Sequence, residues 1–283
     1  MGKVFDALEK SNQKPKPVSG MFKIEQQTGT DTRQDTKTDE ASNLRSSDIG
    51  LRLDNNLIAF SDAQSFEAEQ FKSLKTNILF PADGKVPRVI MVTSALPNEG
   101  KSFVASNLAI SISQNIDDHV LLIDCDLRLP TVHTLFGLGE GPGLSNYLSS
   151  NKPLPGFLRR TNIGKLNILP GGPPPKNPAE LLTSEKMAQL IAEVRERYPD
   201  RYVIMDTAPP QLTAESNAIA RKVDGILVVV NYRKTRRENV EQLINMIGKE
   251  KIIGIILNRF DMRASSYYGY GKYSDYSKYY LAR

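Results

Sequence analysis

Gly100, Lys101 and Ser102 stand together, preceded by Ala95-Leu96-Pro97-Asn98-Glu99 and, before that, by the apolar run Ile90-Met91-Val92-Thr93-Ser94. Each type has a chemical use at this spacing. A glycine at 100 lets the backbone curl so that successive N–H groups converge on one point. A lysine beside it adds a positive charge within reach of a polyphosphate, and the serine hydroxyl can ligate a divalent cation. The spacing is that of a P-loop, with Ala95 where the generic pattern has its first glycine. Residues Leu96, Pro97, Asn98, Glu99, Gly100, Lys101, Ser102 and Phe103 are therefore assigned to a nucleoside triphosphate, ATP, with Mg2+. A helix starting at Ser102 would point its positive end at the same anion.

Three carboxylates belong with this loop. Leu121-Leu122-Ile123 runs into Asp124-Cys125-Asp126-Leu127-Arg128, and Tyr202-Val203-Ile204-Met205 runs into Asp206. An aspartate closing an apolar run can hold a magnesium shell directly or through water, which assigns Ser102, Asp124, Asp126 and Asp206 to the metal. Transfer of a phosphoryl group also needs a group to orient the attacking water or hydroxyl. Either Asp124 or Asp126 can fill that role, the other staying with the metal, and Arg128 supports the pair or the moving phosphoryl group. The catalytic set is Lys101, Asp124, Asp126 and Arg128. A lone strand-end aspartate usually only caps a turn; three beside a phosphate loop fit a site better.

Seven of the eleven tyrosines fall in the last 17 residues: Tyr267, Tyr268, Tyr270, Tyr273, Tyr276, Tyr279 and Tyr280. The intervening Gly269, Gly271, Ser274, Asp275, Ser277 and Lys278 leave no apolar stripe to bury, so a mobile tail is expected. Phenols on such a tail can reach an active site. Each phosphate added there would bring nearly two negative charges. A sticky low-complexity terminus is the bland alternative.

The elements that must position these groups are legible from periodicity. Continuous Val/Ile/Leu runs read as strands buried on both faces at Val89–Thr93, Val120–Asp124, Leu166–Leu169, Tyr202–Asp206, Gly225–Val230 and Ile252–Leu257. Helical stretches lie at 101–114, 185–198, 214–222 and 236–249, and Phe66, Phe71, Leu74 and Ile78 mark another that stops before Pro81. The alternation predicts an α/β fold with a doubly wound, mostly parallel sheet. Every motif then falls at a strand's C-terminal end, where such sheets bind ligands. Four segments are expected: a short amphipathic helix over 1–10, a polar linker over 11–56, the P-loop domain over 57–262, and the tyrosine-rich tail over 263–283.

Composition narrows the field. An excess of five positive charges is mild; it suits phosphate ligands, an anionic membrane surface or simple solvation. The aromatic-and-basic interleaving of a nucleic-acid platform is missing from the sequence, so nucleic acid is not an expected partner. One cysteine and two histidines do not furnish a zinc site. Cys125 reads as a small core residue and Thr207 as a structural hydrogen-bonder. The single cysteine fits a reducing compartment, and the sequence is expected to be cytoplasmic.

From about residue 66 onward the chain resembles the bacterial tyrosine kinases, a P-loop family of the partitioning-ATPase-like type that regulates capsule and exopolysaccharide synthesis. Besides the three motifs above, the resemblance rests on Arg128-Leu129-Pro130-Thr131-Val132-His133, Gly143-Leu144-Ser145-Asn146-Tyr147-Leu148, Asn177-Pro178-Ala179-Glu180-Leu181-Leu182 and Leu257-Asn258-Arg259. It implies ATP-dependent tyrosine phosphorylation, including the chain's own tail. It also implies a homo-oligomeric ring in which subunits phosphorylate one another. Further expectations are Asn258 near the adenine, a separate membrane activator or polysaccharide chain-length protein holding the chain at the inner membrane face, and an opposing tyrosine phosphatase. Glu69, Lys72 and Lys75 occupy the place of the family's Glu-x-x-Arg-x-x-Arg ring contact. They fall at three-residue steps on one helix face, with lysine replacing both arginines and losing the bidentate fork. The rival is a positioning or partitioning ATPase, which carries an extra lysine where this chain has Leu96 and lacks a tyrosine tail. A non-transferring ATP-binding regulatory module is a third reading.

Overall fold

The computed structural model describes residues 53–196 and 201–260. The helix expected over 1–10, nearly all of the linker and the tyrosine tail lie outside those residues.

Among the described residues seven strands form one sheet: β1 Val89–Ser94, β2 His119–Asp124, β3 Arg159–Arg160, β4 Leu166–Leu169, β5 Arg201–Asp206, β6 Gly225–Asn231 and β7 Ile252–Asn258. Their order is β3-β4-β2-β5-β1-β6-β7. All pairs are parallel except the two-residue β3 against β4. The expected doubly wound sheet is therefore present, and six of its strands were read from their apolar runs to within a residue at each end. β3 carries two arginines and no apolar signal, which is why periodicity does not find it.

Side-chain alternation divides the core into two layers. Val89, Met91, Leu121, Ile123, Val203, Met205 and Val228 face one side, against Met187, Leu190 and Ile191 of the helix Glu185–Glu196 and Leu243 of the helix Arg237–Ile247. Ile90, Val92, Val120, Leu122, Ile204, Leu227 and Val229 face the other, against the helix Lys101–Ser113. The central strands β1 and β6 are buried along their whole length, as expected where helices cover both faces.

The helix Lys101–Ser113 follows the phosphate loop directly and is buried at every position from Val104 onward. A second layer covers it, so it has no solvent face to keep polar. That layer is the short helix Ile58–Ser61 and the helix Phe66–Leu79, which Ser65 caps by accepting from the Ala68 N–H. Phe71 meets Phe103 edge to face, with ring centroids 5.8 Å apart. Buried Asn107 ties the layers together. Its Oδ1 accepts from the Ala59 N–H at 2.9 Å, and its Nδ2 donates to the carbonyls of Asn56 and Phe103, each at 2.9 Å. Bonding to the domain thus already begins upstream of residue 57, and the Asp54 N–H donates to the Leu135 carbonyl at 2.9 Å.

Short helices at Val132–Leu135, Leu144–Ser149 and Pro178–Thr183 occupy three of the family-like motifs. They span too few turns for a 3.6-residue period to register. The last long helix stops at Ile247 because Gly248 takes φ 88°, two residues before the expected end. Among the described residues no helix is long and apolar enough to cross a membrane.

Replacing Asn107 by alanine strips partners from a buried N–H and two carbonyls. The Asn107→Ala chain is expected to lose about 1–3 kcal/mol of unfolding free energy, read from urea denaturation.

Candidate active site

β1 ends at Ser94, and the chain reverses through residues 95–100 before entering the helix. Asn98 and Gly100 both adopt left-handed backbone, with φ of 61° and 89°. Only Gly100 is under steric compulsion: a Cβ there would lie 2.0 Å from Asn258 Nδ2. Asn258 also donates to the Glu99 carbonyl at 2.8 Å. The end of β7 thus rests on the loop, and this is where the residue expected near the adenine is found. The Leu96 N–H is taken internally by Glu99 Oε2 at 3.0 Å. The Glu99 carboxylate is buried and turned into the protein.

Register brings the carboxylates together. Asp124 on β2 stands opposite Asp206 on β5, and Asp206 stands opposite Val92 on β1. Both aspartates are fully buried. Asp124 is heavily engaged: Oδ2 accepts from the N–H groups of Thr131 and Val132, each at 3.0 Å, and Oδ1 from the N–H of Asp126 at 3.2 Å. Among the described residues neither oxygen of Asp206 has a partner at hydrogen-bonding geometry. Asp126 forms an ion pair with Lys101 at 3.0 Å. Thr131 donates to the Ser102 hydroxyl at 3.0 Å. The structure therefore gathers Lys101, Ser102, Asp124, Asp126 and Asp206 at one place.

Burial, followed by repulsion from Asp206, pushes the Asp124 carboxyl up to about 8, although the Val132 and Thr131 N–H groups oppose it. Burial also raises Asp206, to about 6, with Lys101 and the nearby Ser102 hydroxyl opposing and Asp126 reinforcing. For Lys101 burial pulls the other way, but the fields of Asp206, Asp126 and Asp124 outweigh it and hold the ammonium above its ordinary value. A pair of buried carboxylates, one with unpartnered oxygens, beside a hydroxyl fits a divalent cation. Among the described residues no three acidic, histidine or cysteine side chains form a metal cage. Mg2+ needs none, since it draws most of its octahedron from phosphate oxygens and water.

Arg128 is drawn to Glu215, a buried acid in the first turn of the helix Ala214–Ala220, at 2.9 Å. Glu215 and Thr131 went unassigned in the sequence. Thr131 sits inside a motif quoted above, whereas nothing local marks Glu215. Cys125 is buried and its thiol is pushed well up by burial and by the aspartates around it, in keeping with an inert core residue. On the helix Phe66–Leu79, Glu69 and Lys72 pair at 2.9 Å and remain largely exposed. Lys75 instead donates to Asn115 Oδ1 within the same chain at 2.8 Å. The seven phosphoacceptor tyrosines fall outside the described residues.

A parallel sheet with a phosphate loop after β1 and strand-end aspartates on the neighbouring β5 and β2 defines a P-loop nucleotide-binding domain. The model of the CobQ/CobB/MinD/ParA nucleotide binding domain matches residues 90–270. Tyrosine-protein kinase YwqD of Bacillus subtilis is 37% identical over 223 residues, covering 78% of this chain and 93% of that protein. The putative tyrosine-protein kinase CapB of Staphylococcus aureus is 30% identical over 209 residues, 72% of this chain and 90% of that one. The solved kinase domain of Escherichia coli tyrosine kinase ETK superposes with a TM-score of 0.68 at 31% identity, over 76% of this chain and 84% of that one. The chain belongs to the bacterial tyrosine kinases within this nucleotide-binding family.

The raised carboxyl pair makes a pH prediction for the nucleotide-free, magnesium-free protein. Unfolded aspartates titrate near about 3.9. A folded value above that adds stability that is complete at lower pH and drains away as pH rises through the folded values. The contribution of Asp124 and Asp206 should therefore fall between about pH 4 and pH 8. Asp206→Asn removes one group and relieves the other. In EDTA its melting temperature should decline less than wild type's between pH 5 and 8.

Proposed function

We propose that this chain binds ATP with Mg2+ and transfers the γ-phosphoryl group to tyrosine hydroxyls, its own cluster over Tyr267–Tyr280 among them. The observation that carries the chemistry is the Lys101–Asp126 ion pair beside two buried aspartates. A triphosphate would compete for Lys101, since a phosphate-loop lysine and the backbone N–H groups at a helix N-terminus engage the same anion. Asp126 is then released toward the acceptor. Asp124 has both oxygens occupied by backbone N–H groups, which favours Asp126 as the group that takes the phenolic proton. As the tyrosine oxygen bonds to the γ-phosphorus, the bond to the β,γ-bridging oxygen breaks and ADP leaves. Ser102 and Asp206, with Asp124 behind them, would hold Mg2+, which supplies charge neutralisation at the phosphates. Arg128, held by Glu215, would support the carboxylate pair or the moving phosphoryl group. Asn258 is the base-side contact, released from or sharing its bond to Glu99.

The resemblance supports regulation of capsule and exopolysaccharide production through a membrane activator and an opposing phosphatase. A ring built through the helix Phe66–Leu79 would use Glu69 and Lys72, with Lys75 first leaving Asn115. The mild positive charge of the chain and the repulsion among several phosphotyrosines give phosphorylation a way to loosen such a ring.

The test is intact mass and phosphopeptide mapping after incubation with ATP and Mg2+. Multiple phosphates on residues 267–280 are expected. They should be missing from Lys101→Met and from a chain ending at Ala264. Steady ATP hydrolysis with no phosphotyrosine, even with the activator's cytosolic segment added, would favour the positioning-ATPase reading instead.

A further inference from the structure

Glu99 is an unexpected residue to find in a cradle for polyanions. It is 2% exposed, and it lies between two residues with left-handed backbone, Asn98 and Gly100. The inverted backbone turns its side chain away from the concavity and toward the end of β6. There Glu99 Oε1 accepts a close hydrogen bond from the Thr235 hydroxyl and a long one from the Asn231 N–H at 3.5 Å. Oε2 takes the Leu96 N–H. One carboxylate thus closes the phosphate loop on itself and fastens it to a turn 132 to 136 residues away in sequence. The turn is well made: the Thr235 N–H donates to the Asn231 carbonyl at 3.0 Å, and the Asn231 N–H donates back to the Thr235 hydroxyl at 3.1 Å.

We propose that Thr235 is a positioning residue for nucleotide binding, acting on the phosphate loop through Glu99. The loop must present its N–H groups at fixed directions before phosphate arrives, because ordering them during binding would weaken affinity. Its own short sequence cannot supply that rigidity, with a left-handed residue on either side of Glu99. The hydroxyl of Thr235 is the only side-chain donor shown on the Glu99 carboxylate among the described residues. Without it, a buried negative charge is left short of a partner beside the phosphate site. The carboxylate would then be free to turn toward Lys101 or the phosphates, against the incoming anion. This inference rests on the nucleotide-binding part of the reading above and is independent of which group accepts the phosphoryl.

The experiment uses the full chain as wild type, Thr235→Val, Thr235→Ser and Thr235→Ala, with Mg2+-ADP titrated calorimetrically and thermal unfolding measured alongside. Valine keeps the shape and removes the hydroxyl; serine keeps the hydroxyl. Thr235→Val should weaken Mg2+-ADP roughly tenfold, the order expected for one hydrogen bond to a charged group. It should raise KM for ATP by a similar factor, with kcat much less affected, while Thr235→Ser stays near wild type. Thr235→Ala, which avoids placing a methyl group against the carboxylate, should repeat the valine result and serves if the valine chain does not fold. A chain that melts earlier yet binds Mg2+-ADP like wild type would overturn the proposal, leaving Thr235 a stability residue only. Equal losses in Thr235→Ser and Thr235→Val would also overturn it, since the hydroxyl would then be irrelevant. Failure of wild type itself to bind Mg2+-ADP would instead refute the nucleotide reading.

Discussion

Two buried aspartates face each other across neighbouring parallel strands, and much of the site follows from that pairing. Asp124 and Asp206 are placed opposite one another by the register of β2 and β5; burial raises both, with repulsion from Asp206 adding to it at Asp124 and repulsion from Asp126 adding to it at Asp206. Such a pair is tolerable only where positive charge or donors converge on it. Here Asp124 is held by three backbone N–H groups of the following loop, and Lys101 answers the combined field. What is left over is the open valence of Asp206. A site with this surplus of negative charge is suited to a divalent cation, and through it to a polyphosphate that the bare carboxylates would repel.

The sheet divides the labour between its two halves. On the β2–β5 side, strand ends supply carboxylates and the loop that carries Asp126, Arg128 and Thr131. On the β6–β7 side, strand ends bond to the phosphate loop: Asn258 to the Glu99 carbonyl, the 231–235 turn to the Glu99 carboxylate. β1 lies between the two halves and delivers the loop to their junction. A doubly wound order makes this possible, because strands distant in sequence end side by side at one edge.

Behind the loop, the helix Lys101–Ser113 is almost entirely buried, so its position is set by packing from both sides. The N-terminal layer that covers it is fastened through Asn107 and the Phe71–Phe103 contact. The helix bearing Glu69, Lys72 and Lys75 is thereby packed directly against the helix that follows the phosphate loop. Contacts made by that outer helix are one helix away from the phosphate loop, although its charged residues do not reach the loop. Lys75, bonded to Asn115, is the member of the trio committed inward.

Local sequence determined the strands, the long helices and the members of the site whose neighbours announce them. Val/Ile/Leu runs ending in Asp124 and Asp206, and Gly100-Lys101-Ser102 after β1, each carry their meaning within a dozen residues. That is enough because backbone periodicity and phosphate-loop chemistry are short-range properties. The same range explains what was missed. β3 and the short helices have too few residues to show a period, and Glu215, Thr131 and Thr235 meet partners that only folding brings near. Which aspartate is sequestered by backbone N–H groups, which way Glu99 turns and where Lys75 points are decided by tertiary structure alone. Each depends on a donor or acceptor contributed by a distant segment, and a buried charge settles wherever that partner stands.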